Sequence, residues 1–154
     1  MSTTRHHHRV VHVVPALFDE GGAGDGITGG AERYVLELAR HMADRVATRL
    51  VTFGGRERTE RTGSLDIRVI GNAWHVRGQR SNPFASALLG EVLGADIIHS
   101  HQNHTVAGSV SALLARLTGR KVFATDLGGG GWDLSSYVST DRLFHGHLHI
   151  SEYG

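Results

Sequence analysis

The sequence contains no cysteine, and this absence excludes several kinds of site at once. Without thiols the chain forms no disulfide, has no thiolate nucleophile and builds no cysteine-ligated zinc site, so its stability depends on its core alone. Such a composition is compatible with the cytosol. The 154 residues are enough for about one domain, and we expect a single domain over residues 1–154.

Net charge and long apolar runs are also lacking. Sixteen Lys and Arg residues nearly balance fifteen Asp and Glu residues, so no overall charge attracts nucleic acid. The basic start of the chain is followed by roughly five apolar residues, too few for a signal peptide or a membrane span. We expect a soluble, cytoplasmic protein, with peripheral contact at the inner face of a membrane left open.

Strand and helix patterns alternate along the chain. Apolar, often β-branched segments predict strands at 9–14, 47–53, 67–70, 96–101, 121–125 and 146–150. Helical spacing predicts helices from about residue 31, from the Asn82-Pro83 pair and from Val106, whereas charged, glycine-rich residues predict a solvated loop over 54–64. The alternation predicts an α/β fold, a Rossmann-like doubly wound parallel sheet of about six strands with helices on both faces.

Sheets of this kind bind ligands beyond the carboxyl ends of their strands, so the residues after each strand are candidates for chemistry. Gly29 and Gly30 precede the first helix, whose free amides and dipole favour an anion such as a diphosphate. A turn that only packs the helix explains them equally well. Gly24, Gly26 and Gly29 also satisfy G-x-G-x-x-G, but they lie too far beyond the strand for a dinucleotide fingerprint.

Three histidines accompany the fourth strand. His99, His101 and His104 form H-x-H-x-x-H, and His99 and His101 share one face of the strand. Three imidazoles suit zinc, while packing is the ordinary role of histidines on a buried strand, and both interpretations stay open. The histidines of the last strand are expected to have packing or surface roles.

A glycine run follows the fifth strand, from Gly128 to Gly131. Four glycines are entropically costly and suggest a ligand close to the backbone or a mobile loop. Asp126 could accept a proton or bond a sugar hydroxyl, Asp133 could bond a hydroxyl, and Trp132 could stack on a sugar face. The structural alternative is an aspartate that caps the loop and a tryptophan that covers the edge of the core.

Four motifs occur in a set order: TGGAERYVLELARHM after the first strand, ADIIHSHQ at the fourth, KVFATDLGG at the fifth and HISEYG at the end. From about Val10 to Gly154 the chain resembles the N-terminal domain of the family-4 retaining glycosyltransferases, which have the GT-B fold. The resemblance implies a hexosyltransferase of carbohydrate metabolism in which this domain holds mainly the acceptor and a second domain mainly the nucleotide sugar. It implies no metal and no other cofactor.

The resemblance also bears on individual residues. Gly29 and Gly30 would meet the donor diphosphate. Leu127 stands where family members often carry a histidine that contacts the donor sugar, so Asp126 becomes the candidate catalytic residue. The residues expected to contact the substrate or acceptor are His101, Gly128, Gly129, Trp132 and Asp133.

The second domain of the family, with its paired glutamates, lies outside these 154 residues. We therefore expect a part of an enzyme, either a piece of a longer chain or one subunit of a split enzyme, which transfers no sugar alone. Its expected partners are a nucleotide sugar, an acceptor and the donor-binding domain, and not nucleic acid. The alternatives are a stand-alone glycan- or anion-binding module and, with less support, a histidine-dependent metal hydrolase.

Overall fold

The computed structural model describes residues 8–18, 26–27, 29–128 and 131–149. Its strands are β1 (Arg9–Val13), β2 (Ala47–Phe53), β3 (Arg58–Thr62), β4 (Leu65–Ile70), β5 (Trp74–His75), β6 (Pro83–Phe84), β7 (Ile97–His101), β8 (Lys121–Thr125) and β9 (Gly146–Leu148). Its α-helices are α1 (Gly30–Ala43), α2 (Ala87–Leu93) and α3 (Val106–Leu117), and short 3-10 turns lie at Val76–Gly78, Leu134–Ser136 and Asp141–Leu143.

Seven strands form one sheet in the order β3-β4-β2-β1-β7-β8-β9. All neighbours pair in parallel except β3 and β4. Counted along the chain, the parallel strands have the spatial order 3-2-1-4-5-6 of a Rossmann fold, which reverses between β1 and β7. The predicted α/β class and doubly wound sheet are confirmed. The last predicted strand, 146–150, is shorter in the structure, where it ends at Leu148 before His149, and Ile150 lies outside the described residues.

Helices cover both faces of this sheet with separate apolar layers. Val35 and Ala39 of α1 pack in one cluster with residues of β2 and β4. Leu88 of α2 and Ala112 of α3 pack in the other, against alternate residues of β1, β2, β7 and β8. Because successive side chains of a strand face opposite sides, β1 gives Val11 and Val13 to the α2 and α3 layer and turns His12 to the α1 side. No helix in the described part of the chain has the length and apolar character needed to cross a bilayer.

The predicted loop over 54–64 is wrong in part, because its middle, Arg58–Thr62, forms β3. This strand pairs antiparallel with β4 across a turn at Gly63, whose φ of +61° suits glycine. Most of its side chains are exposed, and it is the outermost strand of the sheet. Charged residues are tolerated there, and even favoured, because they discourage pairing with another chain.

The predicted helix start at Asn82 is also wrong. The helix begins at Ala87, while Pro83 and Phe84 pair with Trp74 and His75 in a two-stranded ribbon. Asn82 is fully buried, and its Oδ1 accepts a hydrogen bond from the amide of Val106 at 2.9 Å. The asparagine therefore bonds the first residue of α3, a helix distant in sequence, instead of starting its own helix.

Replacing Gly108 by alanine is expected to lower the free energy of unfolding by about 1–3 kcal/mol. The added Cβ would lie 2.9 Å from the carbonyl oxygen of Gln102 and 3.0 Å from that of Asn103, and backbone atoms cannot rotate away. Gly90→Ala is the matched control, since its Cβ meets no atom within 4 Å and alanine favours the helix by up to about 1 kcal/mol. Urea unfolding measures both, and equal stabilities would show that α3 does not need this close approach to the end of β7.

Candidate functional site

The carboxyl ends of β7, β8 and β9 border a cleft of about 410 Å³. Segments distant in sequence meet there because the carboxyl ends of parallel strands share one edge of the sheet. The lining side chains are mostly polar and carry two carboxyl groups and three imidazoles. The lining residues are Asn103, His104, Asp126, Gly128, Asp141, His147 and His149.

Asp126, the predicted catalytic residue, lies in this cleft directly after β8. Its side chain is exposed, and Oδ1 accepts a hydrogen bond from the amide of Gly128 at 3.0 Å. Gly128 has a φ of +80°, in the left-handed region that favours glycine. The structure therefore brings Asp126 and Gly128 together, with one carboxylate oxygen turned to the loop. Gly129, predicted to contact the substrate, lies outside the described residues.

Asp133 is buried beside the cleft, with only 2% of its surface exposed. Its carboxylate accepts hydrogen bonds from Ser109 Oγ at 2.9 Å and from the amide of Ser135 at 3.0 Å, as well as from the Ser135 hydroxyl. The Nδ1 atom of His104 lies 3.9 Å away. These contacts tie the loop after β8 to α3. The predicted contact of Asp133 with an acceptor stays a prediction, because the buried carboxylate offers almost no surface to a ligand.

Trp132 is held by the segment between β5 and β6. Its amide donates to Gln79 Oε1 at 3.0 Å, its carbonyl accepts from Asn82 Nδ2 at 2.6 Å, and the Arg77 guanidinium lies 4.6 Å from the ring centre. Trp132 is half-buried and is not among the described residues that line the cleft. Its stacking on a sugar stays a prediction.

One residue of the glycine run has a packing explanation, which corrects the interpretation from the sequence. A Cβ on Gly131 would clash with Gln79 Oε1, so a larger residue there would require the Gln79 side chain to move from the amide of Trp132. The Gly131 amide also donates to the carbonyl of His104 at 2.8 Å. The loop after β8 is thereby fixed to the loop after β7.

Asn103, which the sequence analysis did not select, lines the cleft and carries an unsatisfied acceptor that is covered in this conformation. It is 5% exposed, and its buried Oδ1 has no hydrogen-bond partner among the described residues. A buried polar atom without a partner costs about 1–3 kcal/mol. Gln102, just before it, has a φ of +77°, a strained conformation for a non-glycine residue that is frequent at functional sites. An asparagine in the HQNHT segment gave no such signal, because loops often contain asparagine.

His101 is fully buried and lies beneath the cleft instead of lining it. Its Nε2 is 2.9 Å from His12 Nδ1, and His99 Nε2 is 2.7 Å from Thr125 Oγ1. Burial lowers the pKa of His99 to about 4 and, together with the neighbouring His99, that of His12 to about 3. Burial, His99 and His12 hold the pKa of His101 well below 6.5, so all three imidazoles are neutral at pH 7. The predicted contact of His101 with an acceptor stays a prediction.

The H-x-H-x-x-H pattern does not form one group. His104 lines the cleft, whereas His99 and His101 gather with His12, which lies directly opposite His99 on the paired strand β1. The sequence gave no reason to join His12 to the others, because 87 residues separate it from His99 and only strand pairing unites them.

Gly29 and Gly30 form the amino end of α1, as predicted. Gly29 is the N-cap residue, and having no side chain it brings no capping group to the first-turn amides. A Cβ on Gly30 would meet no atom of the described residues within 4 Å, so these residues leave the space beside it open. The Glu32 carboxylate folds back towards Gly29, with Oε2 2.8 Å from the position of a Cβ there, and an anion would have to displace it. Leu127, in place of the family's histidine, packs on the α1 side of the core.

Comparison with known proteins places the chain in a family. Residues 28–130, more than half of the chain, match the family model described as Glycosyltransferase Family 4. No curated protein matches. A solved structure of Phytolacca americana UGT2, complexed with UDP-2fluoro-glucose and pterostilbene, is similar over 77% of this chain, with 11% sequence identity and a TM-score of 0.42. The chain spans 30% of the length of that protein. The resemblance seen in the sequence is confirmed, and the chain belongs to glycosyltransferase family 4.

Proposed function

We propose that this chain is the acceptor-binding domain of a retaining hexosyltransferase, and that its acceptor bears hydroxyl groups which bind in the cleft beyond β7, β8 and β9. The observation that carries the proposal is that Asn103 lines the cleft while its buried Oδ1 has no partner among the described residues, so that a turn of the side chain would bring this oxygen to a ligand. This atom can only accept a hydrogen bond, and a hydroxyl of a bound acceptor would supply the missing donor.

The other lining groups fit the same chemistry. Carboxylates accept hydrogen bonds from hydroxyls, and imidazole nitrogens also form hydrogen bonds with them. Neither Lys nor Arg is among the described lining residues, so the lining offers no permanent cation to an anionic acceptor. The volume of about 410 Å³ lies within the range of roughly 300–1,000 Å³ typical of small-molecule sites.

In the proposed reaction the acceptor oxygen bonds to the anomeric carbon of the donor sugar as the bond from that carbon to the diphosphate breaks. Asp126 is the group we propose to orient the acceptor hydroxyl or receive its proton, because its carboxylate is exposed in the cleft and only Oδ1 is bonded to Gly128. The diphosphate would lie at the amino end of α1, at Gly29 and Gly30, after Glu32 moves aside.

We further propose that a donor-binding domain, on the same chain or on a partner subunit, holds most of the nucleotide sugar. Catalysis requires donor and acceptor in reacting geometry, and the cleft described here offers contacts to the acceptor side. The transfer needs no metal and no other cofactor under this proposal. We also propose that the protein is cytoplasmic and contacts the inner face of a membrane peripherally.

Asn103→Leu is expected to weaken acceptor binding about tenfold, since it removes one hydrogen bond and leaves the partner hydroxyl buried and unpaired. Asn103→Asp keeps an acceptor oxygen at the same place and is the matched control. Binding is measured by titrating ¹⁵N-labelled protein with monosaccharides, disaccharides and cyclic polyols. If these compounds shift only resonances away from the cleft, or if both variants bind as the unmodified protein does, the cleft is not the acceptor site.

Asp126→Asn is expected to lower kcat by about 10²–10⁴-fold without changing the urea midpoint, in an enzyme that includes the donor-binding domain. Asp133→Asn should do the reverse, lowering the unfolding midpoint more than kcat, because the Asp133 carboxylate bonds Ser109 and Ser135 in the interior. If both variants lose kcat equally, the reaction centre lies further along the loop, nearer Asp133, than we propose. Full activity of Asp126→Asn would remove this residue from the mechanism.

Gly30→Val is expected to raise the donor KM by about tenfold or more and to leave the fold intact, because its side chain would fill the open space where the diphosphate is proposed to lie. Gly90→Val is the control, since a Cβ there also meets no atom within 4 Å but the residue lies in α2. Thermal unfolding shows whether both variants fold. A donor KM that rises equally in the two would point to a general effect of valine in a helix.

A further inference from the structure

We propose that His12, His99 and His101, hereafter the histidine triad, bind a zinc-class divalent cation. The site lies in the interior between β1 and β7, beneath the cleft, and its proposed role is structural. It is independent of sugar transfer, for which no metal is proposed.

Strand pairing gathers the triad on one face of the sheet. His12 on β1 is the direct partner of His99 on β7, and His101 follows two residues later on the same face. The ring centres of His99 and His101 are 4.1 Å apart, and that of His12 lies 5.1 Å from the first and 5.3 Å from the second. One ring nitrogen from each residue can be chosen so that all three lie within 4.8 Å of one another.

The three ring nitrogens need to move only a short distance towards one another to bind an ion. Zinc bonds imidazole nitrogen at about 2.0–2.1 Å, so tetrahedral ligands lie roughly 3.3 Å apart. Imidazole rings turn about their side-chain bonds, and a shift of roughly 1.5 Å in the most distant nitrogen is within that motion. Three histidines leave a fourth position, which zinc commonly fills with water.

Unpaired ring nitrogens point to a ligand. His12 Nε2 and His101 Nδ1 are buried and have no hydrogen-bond partner in the described parts of the chain. Buried polar atoms are nearly always paired, so two orphans in one cluster call for an explanation. The other nitrogens of these two rings, His12 Nδ1 and His101 Nε2, lie 2.9 Å apart, and an ion bound between the rings would replace the hydrogen that they share. Packing alone does not provide one, because apolar side chains of similar shape would fill the same space without the loss of hydrogen bonds.

The chemistry of the group selects the class of ion. The triad offers imidazoles alone, and burial keeps them in the neutral form that binds metals. Imidazole suits zinc, copper, nickel and iron, whereas magnesium and calcium require oxygen ligands. Copper and nickel prefer tetragonal sites, and three converging imidazoles favour tetrahedral zinc.

Thr125 on β8 positions one of these ligands. Its hydroxyl lies 2.7 Å from His99 Nε2 and fixes the orientation of that ring. Outer partners of this kind orient metal-binding histidines, and their loss weakens binding by about 10–100-fold. Thr125→Val removes the hydroxyl and keeps the shape of the side chain, so it tests the site with little change in packing.

The experiment measures metal binding in a variant in which His6, His7 and His8 are replaced by alanine, since that run of histidines could bind metal by itself. Purified protein is titrated with Zn²⁺ by calorimetry, and with Co²⁺ by visible absorption, which distinguishes tetrahedral from octahedral coordination. We expect one ion per chain with tetrahedral Co²⁺ spectra and a Tm that rises with Zn²⁺ concentration. Thr125→Val should weaken binding about 10–100-fold, and His12→Phe by more than that.

The control is the double variant His147→Gln and His149→Gln, which removes two imidazoles of the cleft and should leave metal binding unchanged. Absence of stoichiometric binding, octahedral Co²⁺ spectra, or affinity unaffected by Thr125→Val would overturn the proposal. Loss of binding in the cleft variant would assign the ion to the cleft instead. Should His12→Phe fail to fold, Thr125→Val and the Co²⁺ spectrum still decide the matter.

Discussion

The parallel pairing of β1 with β7 is the contact on which the rest of the structure depends. These strands are the first and fourth parallel strands along the chain, and the order of the sheet reverses between them. A reversal sends the following helices, α1 and α3, to opposite faces, so the carboxyl edge opens between them. The same pairing sets His12 opposite His99 and carries the triad into the interior. The histidine triad thus follows from one set of backbone hydrogen bonds, whereas the cleft lies on the β8 and β9 side of β7.

The loop after β8 takes its shape from contacts with two other segments. Gln79 and Asn82 bond the backbone of Trp132, and the Gly131 amide bonds the carbonyl of His104. Asn82 also bonds the first residue of α3, so one buried amide joins the loop, the helix and the β5–β6 ribbon. These hydrogen bonds give partners to backbone amides, which would be costly to bury without one. Gly131 and Trp132, in the described part of this loop, are therefore held by hydrogen bonds to segments distant in sequence.

Asp126 and Asp133 show how burial separates two residues of the same type. Asp133 accepts hydrogen bonds from serine groups in the interior, and its carboxylate is committed to holding the loop. Asp126 is exposed and keeps a carboxylate oxygen available beside Asn103 and the cleft histidines. A carboxylate can react with a ligand only where it meets one, so position in the fold, and not residue type, makes Asp126 the candidate for chemistry.

The sequence by itself determined the α/β class, the six parallel strands and the place of Asp126 and Gly128 after β8, because these depend on local periodicity and on residues near one another in the chain. Its motifs carried the resemblance to the family that the family model confirms. It misassigned β3, since an edge strand exposed to water has the composition of a loop. Only the tertiary structure decided that Asn103 has an unpaired oxygen, that Asn82 bonds α3, and that His12 and not His104 completes the histidine triad. Those facts depend on burial and on pairing between distant strands. Whether a polar atom finds a hydrogen-bond partner depends on the groups packed around it in the folded protein, and the neighbouring residues in the sequence do not determine these.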